Sequence, residues 1–266
     1  MVHVLSVHWR SAQWIDIQLR YLRRHLRAPF HVYAFLNDVP GDHAAKFDYV
    51  STEPIGPHAV KLNHLAAEAC ARAESENDVL VFIDGDAFPI DDLSAYLDRR
   101  LASHPVVAIQ RRENLGDCQP HPSFAATTVG CWLRVRGDWS SGFSWTTSDG
   151  HVKTDVGGNL LRILKEHGID WFPMHRSNRV NLHPLLFAIY DDIVYHHGAG
   201  FRSGLSHLEL ANHGLRRVNP RVLVHSLFAF HPKQKRYKRL LADTEDLKQD
   251  VFASICADES FYARLR

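Results

Sequence analysis

The sequence predicts an α/β protein with a mostly parallel central sheet. Apolar, β-branched stretches alternate over the first hundred residues with segments whose apolar residues recur at helical spacing. In addition, residues 79–83 (VLVFI) are an uninterrupted apolar run, which is typical of a strand buried on both faces of a parallel sheet. Together, the alternation and the apolar strand define the fold class.

The elements of the first half follow in the order strand–helix–strand–strand–helix–strand. Residues 2–7 are a short apolar run that predicts the first strand. Trp14, Ile17 and Tyr21 give residues 11–26 the spacing of an amphipathic helix. The other elements expected here are strands at residues 30–36, 49–51 and 79–83 and a helix at residues 58–73.

Regular elements are harder to recognise beyond residue 101. Gly168 marks the end of a helix over residues 156–167. We expect strands at residues 105–110, 131–135, 169–172 and 193–196, loops at residues 118–130 and 137–150, and one or two amphipathic helices within residues 240–262. Without an internal repeat or a linker, the expected division is one domain over residues 1–230 and a helical extension over residues 231–266.

Composition excludes several classes of protein. With 45% hydrophobic and 23% charged residues the chain is globular, and a formal charge of +1 gives no global field to attract nucleic acid or an anionic membrane. The four cysteines are widely spaced, which argues against a zinc ribbon and a disulfide scaffold. The sequence shows neither a secretory signal nor a transmembrane segment, so we expect a cytoplasmic protein. P-loop and dinucleotide fingerprints are absent from the sequence.

Two aspartates, Asp84 and Asp86, follow the apolar strand. Ligands of α/β sheets bind just beyond the carboxyl ends of the strands, where these residues lie. Two neighbouring carboxylates repel each other, and a divalent cation relieves this cost because it binds carboxylates and phosphates together. Gly85 between them permits a tight turn. The pair predicts a metal–diphosphate site, and its purely structural interpretation is an acidic turn at a strand end.

On these residues the sequence resembles the GT-A-fold glycosyltransferases, a Rossmann-like family with an Asp-x-Asp motif, and in particular the family-2-like enzymes. The resemblance spans residues 1–205. It implies Mn²⁺ or Mg²⁺ held by Asp86 and Asp84 against the diphosphate of a nucleotide sugar, with contact to the ribose as the alternative role of Asp84. It further implies nucleotide contacts from Lys61 and Asn63, and a first strand, VHVLSVHWR, that borders the base.

The same resemblance implies a nucleotide-binding half over residues 1–100 and an acceptor and sugar half over residues 101–230. Many such enzymes take a third metal ligand, a histidine, from the second half. The stretch VYHHGAGFR offers His196 and His197, of which only one can face the metal if a strand precedes them. Arg202 is expected to bind phosphate oxygens. The structural alternative is a solvated loop.

Asp155, in the stretch TDVGGNLLR, is the expected catalytic base that deprotonates the acceptor hydroxyl. It is equally interpretable as the N-cap of the following helix. Inverting members of the family have two adjacent acids at this place, whereas Thr154 precedes Asp155 here. This departure leaves open the identity of the base and whether the reaction is inverting or retaining.

The stretch from Gln119 to Trp132 corresponds in the family to a segment that lines the donor sugar and the acceptor. His121 and Trp132, together with Trp139 and Trp145, are therefore candidates for contact with sugars, and ordinary core packing is the alternative for each tryptophan. A basic run near the C-terminus is most simply a solvated helix face, and its alternative is contact with donor phosphates or a membrane surface. The run consists of Lys233, Lys235, Arg236, Lys238 and Arg239.

The resemblance therefore implies a metal-dependent hexosyltransferase, with a nucleotide sugar and a glycan or other hydroxyl acceptor as substrates and without a nucleic-acid partner. One alternative is a haloacid-dehalogenase-like phosphatase, although Phe88 stands where that family has Thr or Val and the motif occurs late in the chain. The other alternative is a catalytically silent GT-A-like module that binds a nucleotide or glycan. A donor-hydrolysis assay distinguishes that module from an enzyme.

Overall fold

The computed structural model describes residues 1–198, 200–201, 204–206, 209–210, 215 and 232–266. Two compact units emerge, one formed by residues 1–201 with 264–266 and the other by residues 202–263. The predicted domain boundary at residue 230 falls among residues outside this description and stays a prediction. Within the described residues, no helix is both long and apolar enough to span a bilayer.

The first unit is built on a seven-stranded sheet within the described chain, in the order β10-β6-β7-β4-β1-β2-β3. Its strands are β1 (Val2–Trp9), β2 (Phe30–Asn37), β3 (Tyr49–Ser51), β4 (Val79–Asp84), β6 (Val106–Ile109), β7 (His121–Thr128) and β10 (Trp171–Met174). All neighbours pair in parallel except at β7, which is antiparallel to both β4 and β6. The predicted fold class, α/β with a mostly parallel central sheet, is confirmed.

Two further sheets complete the strands of this unit. The short strands β5 (Ala87–Pro89), β11 (Ala188–Tyr190) and β12 (Val194–His196) form an antiparallel sheet in the order β11-β12-β5. A two-stranded ribbon joins β8 (Trp145–Thr146) to β9 (Val152–Lys153). The five helices of this unit are α1 (Ile15–His25), α2 (His58–Arg72), α3 (Leu93–Leu101), α4 (Val129–Val135) and α5 (Gly158–Glu166).

Both faces of the large sheet are covered by hydrophobic side chains. On β4, Val81 and Ile83 face one core, which α1 and α3 complete, whereas Leu80 and Phe82 face a second core beneath α2, α4 and α5. All four of these side chains are fully buried. The apolar run that predicted a strand buried on both faces is thereby explained.

The second unit contains the long helix α6 (Pro232–Ala257) and a 3₁₀ turn that begins at Phe261. Sequence periodicity predicted one or two helices within residues 240–262, and the helix begins eight residues earlier. The basic run therefore lies in its first turns.

Three predicted elements are wrong. Residues 118–130 were expected to be a loop but contain β7, and residues 131–135 were expected to be a strand but belong to α4. Residues 137–150 were expected to be a loop throughout but contain the short strand β8, which pairs with β9. Strand β7 forms despite Pro122 and Ser123 because it pairs with β4 and β6 on either side, and neighbouring strands override weak β propensity. The helix begins at this place because the hydroxyl of Thr128 accepts a hydrogen bond from the Cys131 amide at 3.1 Å and caps it.

Candidate functional site

The turn between β4 and β5 carries Asp84 and Asp86 at the carboxyl edge of the sheet, where Asp84 pairs with Val7 of β1. Gly85 makes this tight approach feasible. A Cβ atom on it would lie 2.7 Å from the Val7 carbonyl oxygen and 2.7 Å from His8 Nδ1, so no larger residue fits without displacing the neighbouring strand. The close packing of Gly85 against β1 thus explains why the residue between the two aspartates is small.

The buried side chain of Gln18, on α1, fixes the backbone of the turn. Its amide nitrogen donates hydrogen bonds to the carbonyl oxygens of Asp84 and Ala87, each at 2.8 Å. Its amide oxygen accepts one from the Ser6 hydroxyl, also at 2.8 Å. The bonds to Ser6 and Ala87 are buried and the bond to Asp84 is partly buried, and together they hold both ends of the turn in place. Sequence reasoning missed this residue, since Gln18 looks like any polar position of an amphipathic helix.

Pairing between β5 and β12 brings a histidine to the aspartates. His196 stands opposite Ala87, the residue after Asp86. Its Nε2 atom lies 3.4 Å from Asp86 Oδ1 and 3.6 Å from Asp84 Oδ2. One ligand atom from each of the three residues lies within 4.8 Å of the other two. The aspartates are therefore not splayed apart but converge with His196 on one point.

Burial and mutual attraction shape the charges of this group. Burial raises the pKa of the Asp86 carboxyl, but the charge and hydrogen bond of His196, the charge of His197 and the Gly200 amide outweigh it, so that this pKa lies below its usual range. Burial lowers the pKa of His196, but attraction to Asp86 and Asp84 raises it above the ordinary value. The attraction between Asp86 and His196 thus stabilises the charged form of each side chain.

This donor set fits a divalent metal ion. Two carboxylates and one imidazole suit ions such as Mg²⁺ and Mn²⁺. Neighbouring ligands of an octahedral ion bound at about 2.1 Å are roughly 3 Å apart, and the distances from His196 Nε2 to the carboxylate oxygens, 3.4 and 3.6 Å, are close to that value. The Asp84–Asp86–His196 group is therefore a potential metal site.

Two further contacts orient the aspartates. His58, the first residue of α2, places Nε2 3.2 Å from Asp84 Oδ1. The Gly200 amide donates to Asp86 Oδ2 at 2.8 Å. A Cβ on Gly200 would lie 2.7 Å from Asp86 Cβ and 2.4 Å from Trp14 Nε1, so this backbone approach requires glycine. Sequence reasoning missed His58, because only the fold brings the start of α2 to the end of β4.

His197 lies outside the three-residue group. Its Nδ1 atom is 3.1 Å from the Tyr195 hydroxyl, and its ring packs against Trp14 and Phe187 at centroid distances of 4.6 and 4.9 Å. Its backbone amide donates to the Asp86 carbonyl at 3.0 Å. The two adjacent histidines therefore have different surroundings, as strand alternation predicts.

Lys61 and Asn63, expected to contact a nucleotide, lie apart from each other. The Lys61 ammonium donates to the side chain of Asn37 at the end of β2, and burial lowers its pKa. Asn63 instead donates to Asp138 at 2.6 Å and accepts from the Trp139 amide at 3.0 Å. Lys61 thus sits at the edge of the sheet that carries the aspartates, whereas the amide of Asn63 is occupied by protein groups.

Asp155 is not the N-cap of its helix. Gly157 occupies that position with a φ of 86°, and α5 begins at Gly158. Asp155 Oδ2 instead lies 3.3 Å from Lys153 Nζ and 3.6 Å from Arg111. The same two cations contact Asp117, whose side chain is buried. The charge of Arg111 also lowers the pKa of His196, although the attraction of Asp86 and Asp84 outweighs it.

His121 and Trp132 have different surroundings. His121 begins β7, where its Nδ1 atom accepts a hydrogen bond from the Ser123 amide at 3.1 Å. Burial, followed by the charges of Arg111 and His196, lowers its pKa well below the usual value. Trp132 packs in the core against Phe82 at a centroid distance of 4.9 Å. The His121 side chain therefore binds Ser123 and is influenced by the charge of His196, whereas Trp132 fills the interior.

Trp139 and Trp145, the other two candidates for contact with sugars, also differ in their surroundings. Trp139 is fully buried, and its ring lies 5.0 Å from that of Phe82. Trp145 lies beside the Lys153 ammonium, 5.9 Å from the ring centroid. Arg202, expected to bind phosphate, lies outside the described residues.

Three solved structures share part of the chain's architecture. TarS 1–349 of S. aureus in complex with UDP is 14% identical, with 52% of this chain and 50% of that chain covered and a TM-score of 0.38. The mannosyltransferase PcManGT from Pyrobaculum calidifontis in complex with GDP-Man and Mn²⁺ is 16% identical, with 65% of this chain and 54% of that chain covered and a TM-score of 0.41. The apo-form glycosyltransferase GlyE of Streptococcus pneumoniae TIGR4 is 14% identical, with 49% of this chain and 34% of that chain covered and a TM-score of 0.34. The chain spans about half the length of TarS 1–349.

No protein-family model matches the chain, and no curated protein matches it in sequence. The structural similarities have TM-scores below 0.5. Such values are too low to assign a function, which must therefore follow from the chain's own residues.

Proposed function

We propose that the chain is a metal-dependent glycosyltransferase that moves a sugar from a nucleoside-diphosphate donor to a hydroxyl of a glycan or other acceptor. One observation carries this proposal, namely the convergence of Asp84, Asp86 and His196 beyond the carboxyl ends of parallel strands. The resemblance to GT-A enzymes, which rests on the same aspartates, supports it. The cytoplasmic location inferred from the sequence stays a prediction.

Asp86, Asp84 and His196 would hold Mn²⁺ or Mg²⁺, which when bound neutralises the charge of the departing diphosphate. Of the two candidate histidines, His196 is proposed as the ligand, since His197 is engaged with Tyr195 and Trp14. His58 and the Gly200 amide orient the carboxylates from the outside. Gln18 keeps the turn rigid, so the ligand atoms stay at a spacing that suits an ion.

We assign Asp155 as the base that receives the proton of the acceptor hydroxyl. About a third of its side chain is exposed, so an acceptor can reach it, whereas the neighbouring Asp117 is buried. Lys153 and Arg111 hold the carboxylate in position. Lys61 is proposed to contact the nucleotide and His121 the transferred sugar, and Arg202 to bind phosphate. We do not propose Asn63 or Trp132 as substrate contacts, because Asn63 is hydrogen-bonded to Asp138 and Trp132 is packed in the core.

Neither alternative is favoured. In a haloacid-dehalogenase-like phosphatase Asp84 would be a nucleophile, yet its two oxygens face His58 and His196. A catalytically silent module would bind the donor without consuming it, and turnover separates that module from the enzyme.

The decisive experiment compares Asp86→Asn with Asp98→Asn, an exposed aspartate on α3. Thermal unfolding is followed with UDP and GDP, each with and without Mn²⁺, and hydrolysis of a panel of nucleotide sugars is measured. The wild type and the Asp98 variant should gain several degrees, on the order of 2 to 4 °C per kcal/mol of binding free energy, only when nucleotide and metal are combined.

Asp86→Asn should remain folded, lose this stabilisation and lose turnover by more than about 100-fold. Unchanged turnover in this variant, or equal nucleotide binding with and without metal in the wild type, would refute the proposal. Binding of nucleotide and metal by the wild type without any turnover would instead support the silent module.

A further inference from the structure

One segment of the chain is rich in basic residues and has no acidic ones. Residues 210–242 contain no aspartate or glutamate and eight lysine and arginine residues, namely Arg216, Arg217, Arg221, Lys233, Lys235, Arg236, Lys238 and Arg239. Acidic residues outnumber basic ones over the remainder, although the whole chain has a formal charge of only +1. A near-neutral protein therefore contains one strongly cationic segment, which the overall charge conceals.

The described part of this segment is the first half of α6, where four cations form what we call the basic face, Lys235, Arg236, Lys238 and Arg239. All four side chains are exposed. The buried positions of the helix are Gln234, Thr244, Lys248, Val251 and Ile255. With 3.6 residues per turn, these buried positions project from the opposite side of the helix to the basic face. The cations thus form a continuous outward surface.

This placement works against the stability of the helix. Cations near a helix N-terminus oppose the helix dipole. Lys235 and Arg239 are four residues apart, and Lys235 and Lys238 three, so like charges lie next to each other. Of these four cations, only Arg239 has an acidic partner within the described part of the chain, Asp243 at 3.8 Å, and this pair is solvent-exposed. An external anionic surface would remove the repulsion that the protein leaves uncompensated.

The chemistry of the segment favours a lipid surface over nucleic acid. The basic face carries no aromatic side chain on which a base can stack. Immediately before α6 the sequence reads VLVHSLFAF, an apolar run between Arg221 and Lys233, and such a run flanked by cations is typical of segments that associate with a bilayer interface.

We propose that the basic face of α6 docks on the surface of an anionic phospholipid bilayer. Clusters of four or more lysines and arginines on one helix are enough for such binding, which is electrostatic, reversible and sensitive to salt. The basic face shares no residue with the aspartate group, and its binding does not depend on the proposed glycosyl transfer.

The test is co-sedimentation of the full chain with large unilamellar vesicles of phosphatidylcholine alone or with about 30% phosphatidylglycerol. The wild type should bind only the anionic vesicles, and binding should weaken steeply between about 50 mM and about 300 mM salt. The variant K235Q/R236Q/K238Q/R239Q should bind about 100-fold more weakly. The matched control R23Q/R24Q/R99Q/R134Q removes four exposed cations from α1, α3 and α4 and should bind like the wild type.

Equal binding to neutral and anionic vesicles, no binding at low salt, or an equal loss in the control variant would overturn the proposal. Tighter binding to a single-stranded RNA of about 20 nucleotides than to vesicles, lost in the basic-face variant, would assign the surface to nucleic acid instead. Circular dichroism checks that both variants are folded, and the lipid and salt dependence of the wild type tests the idea without any variant. Hydrolysis of nucleotide sugar in solution should be unchanged in the basic-face variant, so failure here is distinct from failure of the proposed enzyme function.

Discussion

Gln18 is the residue on which the geometry of the aspartate turn depends most directly, through its side-chain amide. It donates to two carbonyl oxygens of the turn and accepts from Ser6 in the interior. A buried amide that makes all of these hydrogen bonds is rigid. If its N–H donor is removed, the carbonyl oxygens of the turn lose their hydrogen bonds, and neither water nor another protein group replaces them.

Replacement of Gln18 by Glu keeps the shape of the side chain but sets a carboxylate against the carbonyl oxygens of Asp84 and Ala87. We expect a loss of about 2 to 4 kcal/mol in the free energy of unfolding, measured by urea denaturation, and weaker binding of Mn²⁺. Gln249→Glu introduces the same charge at an exposed position of α6 and should change stability by less than about 0.5 kcal/mol. Similar stabilities for the two variants would show that the hydrogen bonds of Gln18 contribute little to the stability of the protein.

His8, at the end of β1, makes the stability of the protein depend on pH. Its side chain is fully buried, and burial lowers its pKa to about 4 although Gln18 and Asp86 act in the opposite direction. In the unfolded chain the imidazole binds a proton near its ordinary value of 6.5. Between these two pH values the unfolded state holds a proton that the folded state does not.

The contribution of His8 is therefore complete above about pH 6.5 and falls as the pH drops toward 4, by on the order of 3 kcal/mol in total. His8→Gln should lack this component. We expect the stability difference between wild type and variant, from urea denaturation in the presence of a chelator, to shrink as the pH falls from about 7.5 to about 4.5. A difference that is constant over this range would contradict the neutral, buried imidazole.

At the scale of elements, the pairing of β5 with β12 creates the candidate site. Each strand has three residues, and neither has a hydrophobic pattern long enough to be distinctive. Their pairing sets His196 beside Asp86 and continues into the bond from the His197 amide to the Asp86 carbonyl. The segment after β12 then brings Gly200 to Asp86 Oδ2 and to Trp14, the N-cap residue of α1.

Gly200→Ala tests this arrangement, since a Cβ would lie 2.4 Å from Trp14 Nε1 and 2.7 Å from Asp86 Cβ. The backbone must move away, so we expect the free energy of unfolding to fall by about 1 to 3 kcal/mol and the affinity for Mn²⁺ to fall at least about tenfold. Gly56→Ala is the control, because a Cβ there has nothing within 4 Å. Metal titration by calorimetry measures the affinity, and an unaltered value for Gly200→Ala would contradict the packing described.

The elements that the sequence predicted wrongly are also short. In β7, Ala125 and Ala126 have low β propensity, and the strand forms because β4 and β6 flank it. In α4 the residues CWLRV favour a strand by composition, yet the cap from Thr128 and the packing of Trp132 against Phe82 make them helical. Local propensity decides little when a segment is short and tertiary contacts surround it.

At the scale of the whole molecule, the large sheet has a hydrophobic layer on each face. This arrangement explains why the central strand lacks polar residues between Val79 and Ile83. It also means that neither face of β4 is available to solvent, so function is confined to the strand ends, where the side chains are no longer packed between helices.

Leu80→Ala and Ile83→Ala test the two layers separately, because the side chains point into different cores. Both residues are fully buried, so each substitution should cost about 2 to 5 kcal/mol of unfolding free energy in urea denaturation. Val152→Ala, at an exposed position, is the control and should be almost neutral. A loss at only one of the two core positions would mean that one face of the sheet is solvated.

The sequence by itself determined the α/β class, the central buried strand and the position of the two aspartates at its end. These features follow from local composition and periodicity, and they survive any rearrangement of distant segments. Only the tertiary structure decided that His196 faces the aspartates and His197 does not, that His58 and Gln18 support them, that Asn63 is bound to Asp138, and that Trp132 lies in the interior. Those outcomes depend on contacts between residues far apart in the chain, such as the 114 positions that separate Asp86 from Gly200, and no local pattern encodes such a contact.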